Sequence, residues 1–376
     1  MKGENVRRRL EDSQVSGYPK PPVLTPHRCA EMGNLLQGFT TVVWSPSGPN
    51  VKYENSGTWA RGDLYEPKQL CKVYPALAPL YHPFEREYDP EPVLNLMKKN
   101  NYALPLASVS LYCIFLAVGP RIMKNRPALP LKTAFAYWNL FLSIFSFYGV
   151  SRTVPHLLYR VFSESFEDSV CKSAHVGYGG GTTGLAVQIF ILSKIPELLD
   201  TVFLILLKKE VIFLHWYHHI TVLLYCWNSY VTESAAGLWF VAMNYSVHSI
   251  MYLHFYLQTS FPTPKDKTQK PKGGLYALAR LMSRNAILIT VMQIMQMFVG
   301  TSIVLACLYY NKYGVKVYKY KYSMSKCNNV DSNLMAGGAM YASYLALFVA
   351  FAFRRFALGK DDFKKPAAAQ QDKKIK

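Results

Sequence analysis

The chain has 376 residues, of which 51% are hydrophobic and 17% charged, and its formal net charge is +19. Its lysines and arginines stand in short segments between apolar runs, which does not favour a nucleic-acid-binding protein. The apolar residues form blocks of about twenty, the length at which a helix crosses a bilayer. This clustering excludes an ordinary water-soluble domain and predicts an all-α polytopic membrane protein.

Polarity divides the chain into three predicted regions. Residues 1–83 are rich in proline, glycine and charge and predict an N-terminal extension of little fixed structure. Residues 84–358 carry the apolar runs and predict the transmembrane domain, and residues 359–376 form a basic tail. The seven predicted spans cover residues 103–122, 130–150, 184–207, 211–230, 235–257, 286–309 and 333–353.

The basic segments set the predicted topology. Basic residues follow the first, third, fifth and seventh spans, so these four segments share one side, which should be the cytosol. The N-terminus is then lumenal and the C-terminus cytosolic, although the lysine-rich loop 311–327 falls in the lumen against this trend. Lys373 and Lys374, fourth and third from the C-terminus, predict a retrieval signal of the endoplasmic reticulum.

Two loop cysteines become informative in this topology. Cys171 lies between the second and third spans and Cys327 between the sixth and seventh, so both are expected in the lumen. An oxidising compartment permits a disulfide between them, the alternative being two free thiols.

Three histidines stand in the fourth apolar run. His215, His218 and His219 are three and four residues apart, which places them on one side of a helix. Asn244 and His248 are four apart in the next span and share a face in the same way. Ionisable groups at membrane depth are costly, so such a cluster predicts a functional site.

Two further polar stripes lie in apolar spans. One is formed by Lys194, Glu197, Asp200 and Thr201, and the other by Thr290, Gln293 and Gln296. Each stripe alone is also explained by an ion-pair network or by hydrogen bonds between helices. Four polar stripes on four helices together predict an active or transport site.

Imidazole has three uses in such a site. The chain has nine histidines, of which His27, His82, His156 and His175 fall outside the predicted spans, leaving too few for a membrane di-iron centre. A mononuclear zinc site stays open on numbers alone. The third use is nucleophilic and acid–base catalysis, for which neutral imidazole is suited.

The order of these motifs resembles that of the ELO family of very-long-chain fatty acid elongases. The resemblance runs from about Phe84 to the C-terminus and includes Trp138-Asn139 and Phe145-Ser146 in the second span. The residues around the histidines and around Cys171 look most like the branch that extends saturated acyl chains of twelve to sixteen carbons.

The resemblance implies a fold and a reaction. Seven transmembrane helices are expected, six of them forming a barrel around an acyl tunnel that is closed at its lumenal end. The expected activity is that of a 3-oxoacyl-CoA synthase in the endoplasmic reticulum membrane. It would condense a long-chain acyl-CoA with malonyl-CoA, release CO2 and CoA, and need no metal or other cofactor.

The resemblance also implies roles for the histidines. His218 is the expected nucleophile, because no cysteine lies in the polar stripes and an acyl-imidazole is reactive enough to be attacked in turn. His248 is expected as acid–base or as the group that positions the malonyl enolate, with Asn244 beside it. His215 and His219 are expected to orient the site by hydrogen bonds.

Substrate binding is expected at the cytosolic mouth. Cations there would hold the CoA phosphates, and further substrate contacts are expected in the fifth and sixth spans. The residues expected to bind substrate are Lys208, Lys209, Arg284, Thr290, Tyr252 and His254. The chain departs from the family where His254 and Phe255 stand in place of two tyrosines.

Expected partners are acyl-CoA, malonyl-CoA and membrane lipid, with a second copy of the chain and other enzymes of the elongation cycle as further contacts. A seven-span transporter with a polar cargo path is the alternative from another class. It would be expected to show matching interruptions in two halves of the chain, and Pro196 has no such counterpart.

Overall fold

We describe a computed structural model of the chain, covering residues 70–100, 102–262, 273–313 and 327–353. Within these ranges the regular elements are all helices. Residues 1–69 of the predicted extension, and the whole basic tail with Lys373 and Lys374, lie outside the described residues.

The α-helices are α1 Leu70–Val73, α2 Pro83–Arg86, α3 Glu91–Lys99, α4 Ala103–Met123, α5 Lys132–Tyr159, α6 Phe166–Cys171, α7 Ala174–Gly177, α8 Gly181–Ser193, α9 Leu199–Leu206, α10 Phe213–Val231, α11 Gly237–Ser260, α12 Gly274–Arg284, α13 Ala286–Tyr313 and α14 Asp331–Ala352. Short 3-10 helices cover Pro75–Leu80 and Pro196–Leu198, and a π-helical segment covers Arg160–Glu164.

Helices stand at each of the seven predicted spans. Among the described residues, α4, α13 and α14 are long and apolar enough to cross a membrane by length and composition. Helix α5 runs well past the predicted end of the second span. It therefore contains His156, which the sequence analysis placed outside the apolar helices; this side chain is 4% exposed and its Nδ1 lies 2.8 Å from Thr183 Oγ1.

The third predicted span is broken into α8 and α9. Pro196 lacks the backbone N–H that would continue the helical hydrogen bonds, and a 3-10 turn, Pro196–Leu198, takes up the chain at this point. The break brings Lys194 next to Glu197, with Lys194 Nζ 2.6 and 2.8 Å from the two carboxylate oxygens.

The described chain begins inside the segment that was expected to have little fixed structure. Residues 70–83 are largely helical, and Leu70 is 1% exposed because α1 packs against α5 and α8. Just beyond, Arg152 of α5 donates to both carboxylate oxygens of Glu85, at 3.1 Å each. The expected boundary at residue 84 is therefore too late as a limit of regular structure.

The long helices pack in a definite order of neighbours. Helix α11 packs along α5 and against α13, and α13 pairs with α14. Helix α14 contacts α10, α10 contacts α8, and α8 returns to α5. Among the described residues, helix α4 makes its main helix contacts with α9 and α10.

Cys171 and Cys327 form a disulfide in the structure, with an Sγ–Sγ distance of 2.07 Å. Cys171 ends α6 and Cys327 precedes α14. The backbone N–H of Asn328 donates to Cys171 O at 2.9 Å, and Asn329 Nδ2 donates to Val170 O at 2.8 Å. The two connections are thus fixed to each other by hydrogen bonds as well as by the covalent bond.

Candidate active site

A cavity of ≈ 600 Å³ lies among α5, α9, α10, α11, α13 and α14. Its wall is mostly apolar, but many polar side chains from different helices converge on it. The polar and charged lining residues are Lys132, Asn139, Asp200, Lys209, His215, His218, His219, Asn244, Tyr252, His248, His254, Gln258, Thr259, Thr290, Gln293 and Gln296.

Two histidines face each other across this cavity. The rings of His218 on α10 and His248 on α11 have centroids 6.4 Å apart. Asn244 Nδ2 donates to His248 Nε2 at 3.3 Å, one helical turn away. In the described part of the chain, no side chain hydrogen-bonds the ring nitrogens of His218, so this imidazole is open to a molecule in the cavity.

The oxygen of the Asn244 side-chain amide is a second feature of this part of the cavity. Its Oδ1 finds no hydrogen-bond partner among the described residues, and the side chain lines the cavity beside His248. A buried acceptor without a partner is costly, so a donor on a bound molecule would stabilise it.

Asp200 is the carboxylate of the site. Its Oδ1 accepts a hydrogen bond from Trp138 Nε1 at 2.6 Å, and its Oδ2 accepts one from Tyr252 OH at 2.8 Å. His219 Nε2 lies 4.0 Å from the same Oδ2. Two donors hold the carboxyl group in place, and one of its oxygens faces one of the three clustered histidines.

A second chain of hydrogen bonds ends on His215. Thr201 Oγ1 lies 2.9 Å from His215 Nε2 and 2.7 Å from Tyr112 OH. Thr201 is fully buried, and the His215 and His219 rings are 4.6 Å apart between centroids. Partners of this kind fix ring orientation and tautomer in buried histidine sites.

The Lys194–Glu197 pair lies behind the cavity and does not line it. Both side chains are buried, Ser193 Oγ donates to Glu197 Oε1 at 2.7 Å, and Lys194 Nζ lies 4.0 Å from the centroid of the Phe190 ring. Each charge thus has a partner where the helix breaks, which is the ion-pair alternative that the sequence left open.

The stripe on α13 reaches the cavity. Thr290 and Gln296 are buried in its wall, and Gln293 Nε2 lies 3.3 Å from Met251 Sδ on α11. His254, at the position where the chain departs from the family pattern, also lines the cavity.

The three expected CoA-binding cations have different surroundings. Lys209 lines the cavity, and its Nζ lies 4.7 Å from the centroid of the Phe135 ring. Lys208 instead lines a separate groove, and its Nζ donates to the backbone carbonyls of Lys124 and Arg126 at 3.2 and 2.8 Å. Arg284 is exposed at the end of α12, outside the cavity wall.

Burial lowers the pKa of Lys209 below its ordinary value, and the nearby positive charge of Lys132 adds to the effect. Lys132 is also in the wall, at the start of α5. Sequence reasoning did not select Lys132, although it is a lysine at the first turn of a predicted span.

Sequence reasoning also missed Trp138 as a site residue and Tyr112 altogether. Trp138 hydrogen-bonds Asp200 and Tyr112 hydrogen-bonds Thr201, each from a helix that is distant in sequence. A phenol within the apolar first span was the available signal for Tyr112.

For zinc, no group of three or more His, Cys, Asp and Glu side chains among the described residues is arranged to hold a metal ion.

Long apolar helices and a cavity with clustered histidines, a carboxyl group and lysines define a class, the polytopic membrane proteins with an internal polar site. The family model described as ELO: GNS1/SUR4 family matches residues 97–364. The chain belongs to this family, and it is a multi-pass membrane protein.

Curated relatives agree with this membership. The chain is 36% identical over 292 residues to fatty acid elongase 3 of Trypanosoma brucei brucei, covering 72% of this chain and 88% of that protein. It is 35% identical over 277 residues to very long chain fatty acid elongase 6 of Gallus gallus, covering 74% of this chain and 92% of that protein. It is also 36% identical over 249 residues to very long chain fatty acid elongase 4 of Trypanosoma cruzi, covering 64% and 78%.

Proposed function

We propose that this protein is a fatty acid elongase that condenses a long-chain acyl-CoA with malonyl-CoA, giving a 3-oxoacyl-CoA two carbons longer. The observation that carries the proposal is the opposition of His218 and His248 across one cavity, with ring centroids 6.4 Å apart. The names of the relatives support fatty acid elongation as the process in which the chain acts. Saturated chains of twelve to sixteen carbons are the proposed substrates.

The proposed reaction has two halves. An imidazole nitrogen of His218 attacks the acyl thioester, and the C–S bond breaks to release CoA with a proton. Malonyl-CoA then loses CO2, and the resulting carbanion attacks the acyl-imidazole carbonyl. The C–N bond to His218 breaks, and the leaving imidazolate takes up a proton to restore the neutral imidazole. Dividing a difficult condensation in this way lowers the barrier of each step, and the chemistry as written calls on no cofactor.

The neighbouring groups have proposed tasks in these steps. His248, held by Asn244, transfers a proton or positions the malonyl enolate. Asn244 Oδ1 accepts a hydrogen bond from substrate, since this buried oxygen has no partner among the described residues. Lys132 and Lys209 bind CoA phosphates, because these two cations are in the cavity wall. The apolar wall keeps water from the acyl-imidazole.

The proposed setting is the endoplasmic reticulum membrane, with the N-terminus lumenal and the C-terminus cytosolic. Seven spans are proposed, with α5, α8–α9, α10, α11, α13 and α14 around an acyl tunnel and α4 beside them. The neighbour order of these helices supports this arrangement. Contacts with a second copy of the chain and with other elongation enzymes are proposed without a specific surface.

The test is product formation by the purified full-length protein in lipid nanodiscs. Acyl-CoAs of several lengths are supplied with carbon-labelled malonyl-CoA, and 3-oxoacyl-CoA is measured by mass spectrometry. His218→Ala should abolish the product, whereas His82→Ala, at an exposed histidine outside the cavity wall, should leave it unchanged. No product from any acyl length, with acyl-CoA or fatty acid moved across the bilayer of sealed vesicles that contain the same protein, would favour the transporter.

A further inference from the structure

Helix α12 carries an exposed row of leucines. Leu275, Leu278 and Leu281 are 51%, 37% and 57% exposed, although the helix is only 11 residues long. At about 100° per residue these three side chains fall on one side of the helix. Ala279 is the one buried residue of α12, so the leucines are not the face by which the helix packs on the protein.

The other side of α12 is basic. Arg280 and Arg284 are exposed and lie roughly opposite the leucines around the helix axis. An amphipathic helix with leucines on one side and arginines on the other is typical of helices that lie in a lipid–water interface. Leucines that stay in water forfeit the favourable free energy of burying their apolar surface.

The leucine row continues into a membrane helix. Helix α13 starts immediately after Asn285, and its first turns expose Ile287, Leu288 and Val291 at 47%, 56% and 46%. Helix α13 is long and apolar enough to cross a membrane. The leucines of α12 therefore stand next in the chain to exposed apolar side chains at the start of this helix.

The helix is attached to the wall of the site. Gln258 Nε2 donates to Ala279 O at 2.9 Å, and the rings of Tyr276 and Phe261 have centroids 5.1 Å apart. Gln258 and Ala286, which flank α12 in space and in sequence, both line the histidine cavity. The position of α12 thus fixes one edge of that cavity.

We propose that α12 is an interfacial helix that binds the surface of an anionic lipid bilayer. Its leucines enter the boundary between headgroups and acyl chains, and Arg280 and Arg284 lie close to lipid phosphates. This holds the edge of the cavity at the depth where an amphiphile with a long acyl chain partitions. The inference rests on the membrane placement of α13 and is independent of the proposed reaction.

Two labels, each attached to one introduced cysteine of the full-length protein, test the depth of the helix. Leu278→Cys and Ser283→Cys are labelled with an environment-sensitive fluorophore in vesicles of phosphatidylcholine and phosphatidylserine. Their side chains point about 140° apart around the axis. The unmutated chain, labelled in parallel, corrects for native cysteines such as the exposed Cys113, and Leu275→Cys replaces Leu278→Cys if that variant does not fold.

The proposal expects the label at Leu278 to show blue-shifted emission and quenching by lipids that carry a shallow spin label. The label at Ser283 should be quenched by iodide in water instead. Equal iodide quenching at both positions would overturn the proposal. A blue-shifted label at Leu278 that ignores the lipid quencher would also overturn it, since a second protein surface would then cover the leucines.

The charge is tested separately. Replacing Arg280 and Arg284 together by glutamine should reduce lipid quenching at Leu278 in vesicles that contain phosphatidylserine. It should have less effect in vesicles of phosphatidylcholine alone. An equal change in lipid quenching in both kinds of vesicle would contradict the binding of α12 to anionic lipid.

Discussion

Thr201 Oγ1 lies 2.9 Å from His215 Nε2 while the same oxygen lies 2.7 Å from Tyr112 OH, so one buried hydroxyl links the first histidine of the cluster to helix α4. A hydroxyl can donate one hydrogen bond and accept others, so Thr201 can pair with either tautomer of His215 while it holds the orientation of the ring. Helix α4 thereby takes part in the site without lining the cavity.

Thr201→Val should lower kcat about tenfold with little change in KM for acyl-CoA, because loss of one hydrogen bond of about 1.4 kcal/mol leaves the His215 ring free to rotate. Steady-state kinetics on both substrates measure this effect. Thr182→Val is the matched control, since the Thr182 hydroxyl is buried without a partner among the described residues. Equal losses for the two variants would contradict the orienting role of Thr201.

Asp200→Asn should reduce both the activity and the free energy of unfolding, the latter by about 1–3 kcal/mol. An asparagine amide has one oxygen and one NH2 group, so it cannot accept hydrogen bonds from both Trp138 and Tyr252. Adding Tyr252→Phe removes one of the two opposed donors. The double variant should therefore regain part of the lost stability in thermal unfolding. Simple additivity of the two losses would show that the two groups are not coupled.

The lowered pKa of Lys209 predicts a pH dependence of substrate binding. Lys209 is charged below its pKa and neutral above it, so KM for acyl-CoA should rise with increasing pH, beginning below the ordinary lysine pKa of 10.5. Lys209→Arg should remove the rise, because arginine stays charged throughout. Lys208→Ala should leave the pH profile of KM unchanged, since the Lys208 ammonium is bound to backbone carbonyls outside the cavity. A KM that does not change with pH in the unmutated protein would contradict the role of Lys209.

The disulfide should contribute stability and leave the chemistry intact. Cys171 and Cys327 are 156 residues apart in sequence, so the crosslink raises the free energy of the unfolded chain by about 5 kcal/mol in the chain-entropy picture. Replacing both by alanine should lower the Tm, with kcat at 25 °C changed less than about twofold. Cys113→Ala, at an exposed free cysteine, is the control and should lower neither quantity.

Part of this site follows from local sequence spacing. The intervals between His215, His218 and His219 place them on one side of α10, and the polar stripes on α11 and α13 line the same cavity. Periodicity within a helix is a local property, which is why the sequence predicts it. The proline break before α9 is local in the same sense.

Contacts between distant helices were not predictable in this way. Nothing near Trp138 in the sequence indicates that its indole donates to Asp200, because that contact depends on how α5 packs on α9. Lys208 and Lys209 are adjacent and chemically identical, yet their side chains have different surroundings. Lys208 adopts a left-handed backbone conformation with φ of 55°. This conformation is a property of the folded turn, and the presence of two lysines in the sequence does not predict it.

The covalent role of His218 is tested by mass spectrometry of its peptide. The purified protein is incubated with palmitoyl-CoA alone, digested and examined for an acyl group on the peptide that contains His218. We expect such an adduct, its removal by malonyl-CoA with formation of 3-oxoacyl-CoA, and its absence in His218→Ala. Normal product formation by an enzyme that never carries the adduct, or an adduct on another residue, would show that His218 is not the nucleophile.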